Sequence, residues 1–270
     1  MIDDFISPKN DTIFKLLFGD ERSLEILTDF LKSVLRLPED EYEDVTLIDP
    51  QLKREYDGDK LSVMDVRIRT KAQKTINIEI QLLSMPELRE RIVYYLAKMV
   101  TGQVGAGESY QKIKRVISII ITDFIFIPGT DEYHNRFTLY DPGTRTEFTD
   151  VIEVNTLELV KLPESEDGTK LWAWMKFLSA RNKEDLNMIA QSSPQVKQAV
   201  MRYMEMTEDE QIRMRMELQQ KKEWDIRGQE RRNAMLSVAK NLLDIDMPVD
   251  QIISATGLTR VDIENIRDNQ

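Results

Sequence analysis

Apolar and polar residues alternate along residues 75–82, which is the pattern of a β-strand with two unlike faces. One face carries Ile76, Ile78, Ile80 and Leu82, and the other carries Asn77, Glu79 and Gln81. Residues 63–68 alternate in the same way and place Asp65 and Arg67 on one face. Since only a short polar stretch separates the two segments, we predict adjacent strands in which Asp65 and Glu79 lie side by side.

The N-terminal half combines helix and strand patterns in the order of an α/β core. An N-cap sequence, Asn10-Asp11-Thr12, precedes the first helical pattern, and Gly19 breaks that pattern in two. The apolar run from Val116 to Ile127 predicts a buried central strand. The successive patterns predict a helix at 13–35, strands at 46–55, 63–68 and 75–82, a helix at 87–104 and a strand at 116–127. This order indicates a mixed sheet with flanking helices.

The remainder of the chain changes from strands to helices. Strands are predicted at 137–140 and 152–161, and helices at 169–178, 195–204 and 208–233, the last of them rich in charge. The tail predicts two or three short helices around a turn at Gly257. We therefore expect three parts, which are a core at 1–165, a helical extension at 166–233 and a small helical tail at 234–270.

Composition excludes several classes of site. The 270 residues include no cysteine and a single histidine, His134, so disulfides, thiolate metal sites and clusters of histidines are excluded. His134 lies in a turn-like stretch and is interpreted as a solvated loop residue. A hydrophobic content of 41% suffices for a sizeable core. No apolar run approaches about 20 residues and the start lacks a secretion signal, so we expect a cytoplasmic protein with no membrane span.

Asp65 and Glu79 form the candidate catalytic pair. Two carboxylates about 4 Å apart at an effective dielectric constant near 20 repel by about 4 kcal/mol, so a proton or a cation is expected between them. A hard divalent cation fits this pair, with the carbonyl oxygen of Ile80 as a further ligand and the Gln81 amide near its water shell. The alternative is that both carboxylates are solvated and pair with nearby basic side chains such as Arg67, but the apolar residues beside them argue against it.

The helix predicted at 87–104 adds basic and aromatic side chains on one face. Arg91, Tyr94, Tyr95 and Lys98 follow the spacing i, i+3, i+4 and i+7, so they share that face. Cations in this position can clamp a phosphate or stabilise charge in a transition state. Packing explains Tyr94 better, whereas for Arg91, Tyr95 and Lys98 a role at the site and a role in packing or solvation are equal alternatives.

Four segments taken together resemble a known family. They are Ser7-Pro8-Lys9-Asn10-Asp11-Thr12-Ile13-Phe14-Lys15-Leu16-Leu17-Phe18-Gly19, Met64-Asp65-Val66, Ile78-Glu79-Ile80-Gln81 and Arg91-Ile92-Val93-Tyr94-Tyr95. In this order they resemble the Rpn family, the recombination-promoting nucleases and transposases of the PD-(D/E)XK nuclease superfamily. Within the first segment, Asp11 matches the family's N-terminal motif, although an N-cap role explains it equally well.

The resemblance implies a fold, an activity and a cofactor. The implied fold is α/β, a restriction-endonuclease-like core with a mixed central sheet flanked by helices, followed by an all-helical C-terminal region. The implied activity is cleavage of DNA, linked to recombination or mobile elements. The implied cofactor is Mg²⁺, with Mn²⁺ or Ca²⁺ as alternatives.

The resemblance also assigns roles residue by residue. Asp65 matches the motif Asp and Glu79 the motif Glu, while Gln81 stands where the superfamily has a lysine. That lysine orients the attacking water and offsets negative charge, whereas a glutamine forms hydrogen bonds without bringing charge. Lys98 or Arg91 is expected to compensate from the helix.

Two functions are therefore compatible with the sequence. The first is a Mg²⁺-dependent DNA endonuclease, and the second is a DNA- or protein-binding regulator that keeps the nuclease fold with little or no turnover. The net charge of −11 and the uncharged Gln81 favour the regulator, whereas the pair of Asp65 and Glu79 favours the enzyme. The acidic tail at 249–267 resembles a helix-turn-helix in outline, but packing, or a homodimer through the C-terminal helices, is the expectation for it.

Overall fold

The computed structural model describes residues 5–52, 62–63, 65–209, 233–245 and 247–268. The chain divides into two compact units, with the boundary between Met216 and Glu217. Most of the charged helix predicted at 208–233 lies outside the described residues. The three-part division expected from the sequence stays a prediction.

A mixed sheet of six strands forms the centre of the first unit. The strands of the described residues are β1 (Thr46–Leu47), β2 (Gln51–Leu52), β3 (Ser62–Val63), β4 (Val66–Arg69), β5 (Thr75–Gln81), β6 (Val116–Thr122), β7 (His134–Tyr140) and β8 (Glu147–Glu158). The sheet has the order β1-β4-β5-β6-β8-β7, in which β5, β6 and β8 run parallel and the other neighbours pair antiparallel. Strands β2 and β3 pair separately with each other.

Helices cover the two faces of this sheet. They are α1 (Asp11–Phe18), α2 (Leu24–Val34), α3 (Leu88–Thr101), α4 (Lys170–Leu178), α5 (Lys183–Ile189) and α6 (Pro194–Glu208). Short 3₁₀ turns occur at Glu21–Ser23, Glu39–Tyr42, Tyr110–Lys112 and Leu159–Lys161. The predicted break in the first helix is confirmed, since Gly19 is the C-cap of α1. The mixed sheet with flanking helices confirms the predicted fold class.

The larger hydrophobic core brings the sheet together with α1, α2 and α4 to α6. Ile76, Ile78 and Ile80 contribute to it from β5, which confirms the apolar face predicted for this strand. Phe30 of α2 and Trp174 of α4 pack edge to face inside it, with ring centroids 5.9 Å apart. Burial of these large side chains is the main stabilising term of such a core. A smaller core under α3 contains Leu88, Ile92, Leu96, Met99, Val116, Ile120 and Phe126.

The predicted hairpin is confirmed, since β4 and β5 pair antiparallel with Arg67 opposite Asn77. The central strand is shorter than predicted, because β6 ends at Thr122 and the apolar run bends away from the sheet. The backbone N–H of Asp123 still donates to Gln81 of β5 at 3.1 Å, but those of Phe126 and Ile127 donate to the buried carboxylate side chain of Glu158 at 2.7 and 3.3 Å.

The interpretation of His134 as a solvated loop residue is wrong. His134 is half-buried at the start of β7, and its Nε2 lies 3.0 Å from Oδ1 of Asn155 on β8. A buried asparagine on the neighbouring strand thus holds this ring in the sheet.

The second unit is a small group of helices, as predicted for the tail. Residues 233–243 (α7) are helical and are followed by α8 (Val249–Thr256) and α9 (Arg260–Asp268). Gly257 caps α8 with a φ of 70°, the left-handed conformation that a glycine adopts without strain. The hydrophobic core of this second unit consists of Ala239, Ile252, Leu258 and Ile263. Within the described ranges of the whole chain, no helix is both long and apolar enough to cross a membrane.

Candidate active site

Asp65 lies at a bend immediately before β4 and not inside a strand as predicted. The strand is interrupted there because the residues just upstream pair with β2, while the Asp65 side chain bonds to β5. Its Oδ2 accepts a hydrogen bond from the backbone N–H of Ile80 at 3.0 Å, and its Oδ1 lies 3.1 Å from Nζ of Lys15. Asp65 is therefore fixed from two directions.

Glu79 lies near the C-terminal end of β5 on the face covered by α3, where its side chain is only 4% exposed. Asn77, which is fully buried on the same face of the strand, donates a hydrogen bond from Nδ2 to Oε1 of Glu79 at 3.0 Å. On the other side, Oε2 lies 3.7 Å from a guanidinium nitrogen of Arg91. This distance is too long for a direct hydrogen bond, so Arg91 interacts with Oε2 of Glu79 through its charge alone.

The electrostatics of the two carboxylates are coupled. Burial, together with the negative charge of Asp65, raises the pKa of Glu79 to about 7, although the hydrogen bond from Asn77 and the charge of Arg91 oppose the shift. Burial also raises the pKa of Asp65, against the charge of Lys15. Both groups thus hold a proton more tightly than usual, which means that the site favours additional positive charge.

Helix α1 supplies a residue that the sequence did not single out, Lys15. Asn10 is the N-cap and accepts hydrogen bonds from the backbone N–H groups of Thr12 and Ile13, so Asp11 is not the capping residue. Asp11 is instead the first residue of α1 and accepts a hydrogen bond from Nζ of Lys15 at 2.8 Å. Burial opposes the charge of Lys15, but Asp65 and Asp11 outweigh it and raise its pKa.

Part of the contact made by Lys15 is visible in the sequence. Asp11 and Lys15 have the i, i+4 spacing of a helical ion pair. The contact between Lys15 and Asp65 depends on how α1 packs against the sheet, and it leaves no signal in the sequence. Lys15 therefore joins Asp65, Glu79, Asn77 and Arg91 in the site only through the fold.

Of the residues predicted on α3, Arg91 and Tyr95 lie at the carboxylates. The pKa of Tyr95 is raised by burial and then by the charge of Glu79, with a smaller contribution from Asp65. Lys98 is about two helical turns beyond Arg91, is buried, and has its ammonium 5.5 Å from the ring centroid of Tyr94.

Gln81 is the last residue of β5 and is half-buried. Its backbone carbonyl accepts a hydrogen bond from the N–H of Asp123 at 3.1 Å, which ties the ends of β5 and β6 together. Alternation along the strand places its side chain on the same face as Glu79. The position expected to carry a lysine is thus in place but carries no charge.

The donor set fits a hard divalent cation. It consists of oxygen atoms from two buried carboxylates, Asp65 and Glu79, whose proton affinities are raised by their surroundings. Among the described residues, no three Asp, Glu, His or Cys side chains are grouped closely enough to hold a metal by themselves. Backbone or water oxygens would have to complete the coordination, and the carbonyl of Ile80 is the backbone oxygen next to Glu79.

No curated protein and no solved structure matches this chain. The profile of the PD-(D/E)XK nuclease family transposases matches residues 8–231, which is most of the chain and contains the hairpin and α1. This match confirms the resemblance on which the site residues were assigned and agrees with the mixed sheet and its flanking helices. The chain therefore belongs to the PD-(D/E)XK nuclease family transposases.

Proposed function

We propose that this protein is a cytoplasmic, Mg²⁺-dependent DNA endonuclease that hydrolyses phosphodiester bonds during recombination or the movement of mobile elements. The observation that carries the proposal is the arrangement of Asp65 and Glu79. These two carboxylates are held on neighbouring segments by the hydrogen bond from Ile80 to Asp65. Burial raises the pKa of both, and the charge of Asp65 adds to the rise of the pKa of Glu79. A nuclease of this family needs an acidic pair in such a place.

Asp65, Glu79 and the carbonyl of Ile80 would hold the ion, for which Mn²⁺ or Ca²⁺ are alternatives to Mg²⁺. When bound, a divalent cation supplies positive charge beside the scissile phosphate and makes an attacking water more acidic. The side-chain amide of Gln81 can both donate and accept hydrogen bonds, and in this proposal it positions that water. Arg91, beside Glu79, places a guanidinium where negative charge develops on the phosphate.

The remaining predicted residues have supporting roles in this proposal. Tyr95 lies at the carboxylates with its hydroxyl protonated, because burial and Glu79 raise its pKa, so it can donate a hydrogen bond to a phosphate oxygen. Asp11 holds Lys15. Lys98 contributes a positive charge further along α3, over the ring of Tyr94. A homodimer through the C-terminal helices stays a prediction.

The second candidate function is a regulator that binds DNA or protein and has little or no turnover. The observation that favours it is the absence of charge at Gln81, at the end of β5, together with a net charge of −11. Such a protein would bind a metal as the nuclease does, so metal binding alone does not distinguish the two candidates. Cleavage does.

The test is incubation of supercoiled plasmid with purified protein and Mg²⁺ or Mn²⁺, with and without EDTA. Asp65→Asn and Glu79→Gln remove the charge of each carboxylate with little change of shape. Glu147→Gln is the matched control, since Glu147 is an exposed strand carboxylate at the beginning of β8. Nicking by the wild type and the control that is lost in both site variants and in EDTA supports the endonuclease. Nicking that survives both site substitutions, or no nicking at all, favours the regulator.

A further inference from the structure

The site contains the ammonium group of Lys15, which comes from helix α1 and not from the sheet. Nζ of Lys15 lies 2.8 Å from Oδ2 of Asp11 and 3.1 Å from Oδ1 of Asp65. Its side chain is 42% exposed, whereas that of Asp65 is 13% exposed. The ammonium therefore lies where the buried carboxylates meet solvent, which is where a substrate would arrive.

We propose that Lys15 supplies from helix α1 the positive charge that Gln81 cannot supply from strand β5. This inference rests on the proposed nuclease function. According to this inference, the lysine of the reaction lies on α1 and not on the strand that carries Glu79. The position of α1 in the sequence does not indicate this role. Lys15 stabilises the negative charge that develops on the phosphate, and Asp11 is a positioning residue that holds the ammonium one helical turn away.

Three other cations among the described residues have different contacts. A guanidinium nitrogen of Arg91 lies 3.7 Å from Oε2 of Glu79. The ammonium of Lys98 lies over the ring of Tyr94. Lys9 forms its ion pair with Asp123 at 2.7 Å. Among the described residues, the ion pair with Asp65 is made by Lys15.

The paired carboxylates also explain how a lysine can stay in such a position. An ammonium has three N–H donors, and two of them are used by Asp11 and Asp65. Since no further partner of this ammonium occurs among the described residues, the third donor and the exposed side of the group are available to an oxygen of the substrate. A carboxylate has about four lone-pair sites, so Asp65 can accept from Lys15 and from Ile80 and still contribute an oxygen to a metal.

The first measurement compares plasmid cleavage by the wild type with that of Lys15→Met and Lys9→Met in the presence of Mn²⁺. Methionine keeps the unbranched stem of the side chain and removes the charged amino group. Lys9 is the matched control because it lies in the same N-terminal segment and forms its own ion pair. Removing one group that stabilises a developing charge lowers a rate by about 10²- to 10³-fold, so we expect that loss in Lys15→Met and a rate near that of the wild type in Lys9→Met.

A second measurement separates this role from a merely structural one. If Lys15 only held Asp65 in place, Lys15→Met would lose Mn²⁺ affinity together with cleavage. In our proposal Lys15 is a cation beside a metal ligand, so its removal leaves Mn²⁺ affinity unchanged or increases it. Isothermal titration calorimetry of Mn²⁺ binding distinguishes the two, and a weakened affinity in Lys15→Met overturns the proposal.

The double variant Lys15→Met/Gln81→Lys completes the test by returning an ammonium to β5. We expect it to recover most of the cleavage that Lys15→Met loses, and a double variant as slow as the single one overturns the inference. The single variant Gln81→Lys distinguishes a failure of the inference about Lys15 from a failure of the proposed nuclease function. If it cleaves while the wild type does not, the inference about Lys15 is overturned and the carboxylate site stands. If neither cleaves, the proposed function fails and the inference fails with it.

Discussion

The backbone N–H of Ile80 donates a hydrogen bond to the carboxylate of Asp65 at 3.0 Å. In the antiparallel register Val66 lies opposite Ile78. Asp65 comes one residue before Val66 and Glu79 one residue after Ile78, so this bond fixes Asp65 next to Glu79. The same carboxylate is thus a structural acceptor and a proposed metal ligand. Variants that keep one of these properties and remove the other can separate them.

Asp65→Asn is expected to keep the fold and lose the metal. The amide oxygen still accepts from Ile80, and the ion pair with half-exposed Lys15 that is lost contributes at most about 1 kcal/mol. Asp65→Ala also leaves the N–H of Ile80 without its acceptor, which lowers the free energy of unfolding by about 1–3 kcal/mol. Denaturation with urea and Mn²⁺ titration measure both properties. Equal destabilisation by Asn and Ala would show that the hydrogen bond does not matter.

Glu79→Gln is expected to stabilise the metal-free protein above pH 7. The pKa of Glu79 is raised from 4.5 to about 7 in the fold, so the folded state binds the proton more tightly than the unfolded state. The stability contributed by the protonated form is complete below pH 4.5 and is lost as the pH rises through 7. At pH 8 the variant should therefore exceed the wild type by on the order of 3 kcal/mol, and the difference should shrink towards pH 4. Urea denaturation in EDTA across this range measures it, and a difference independent of pH would contradict it.

Gly19→Ala is expected to destabilise the end of α1. A Cβ at Gly19 would lie 2.5 Å from the backbone carbonyl oxygen of Lys15, which is too close for any real contact and cannot be relieved by a side-chain rotation. Overpacking of this kind lowers the free energy of unfolding by about 1–3 kcal/mol. Gly105→Ala is the matched control, because its Cβ would meet a glutamate side chain at an ordinary 3.7 Å. A control as unstable as Gly19→Ala in urea denaturation would contradict the steric explanation.

The parts of the site that could be predicted are those set by local periodicity. Alternation along residues 75–82 placed Glu79 and Gln81 on the face opposite Ile78, and the pairing of β4 with β5 confirms that register. The interruption of the strand at Asp65 could not be predicted from the sequence. It depends on the hydrogen bond that the Asp65 side chain accepts from the backbone N–H of Ile80 in the neighbouring strand.

The errors have a common physical origin in tertiary contacts. The apolar run after β6 continues through Ile127, but the backbone N–H groups of Phe126 and Ile127 donate to the carboxylate side chain of Glu158 and do not extend the strand pairing. His134 has loop-like neighbours in the sequence, yet Asn155 holds it in the sheet. Lys15 belongs to the same class, because nothing near it in the chain indicates that it meets Asp65.

Binding of Mn²⁺ is expected to depend on pH through Glu79. A metal must displace the proton from this carboxyl, whose pKa is about 7, so the apparent affinity should fall roughly tenfold for each pH unit below 7 and level off above pH 8. An ion present at a hundredfold excess over its dissociation constant stabilises the fold by about 2.7 kcal/mol. Thermal denaturation with Mn²⁺ and with EDTA at pH 6 and pH 8 measures the effect. Glu79→Gln should show no Mn²⁺-dependent shift at either pH, and an equal shift in that variant would place the metal elsewhere, because Glu79 would then not be a ligand.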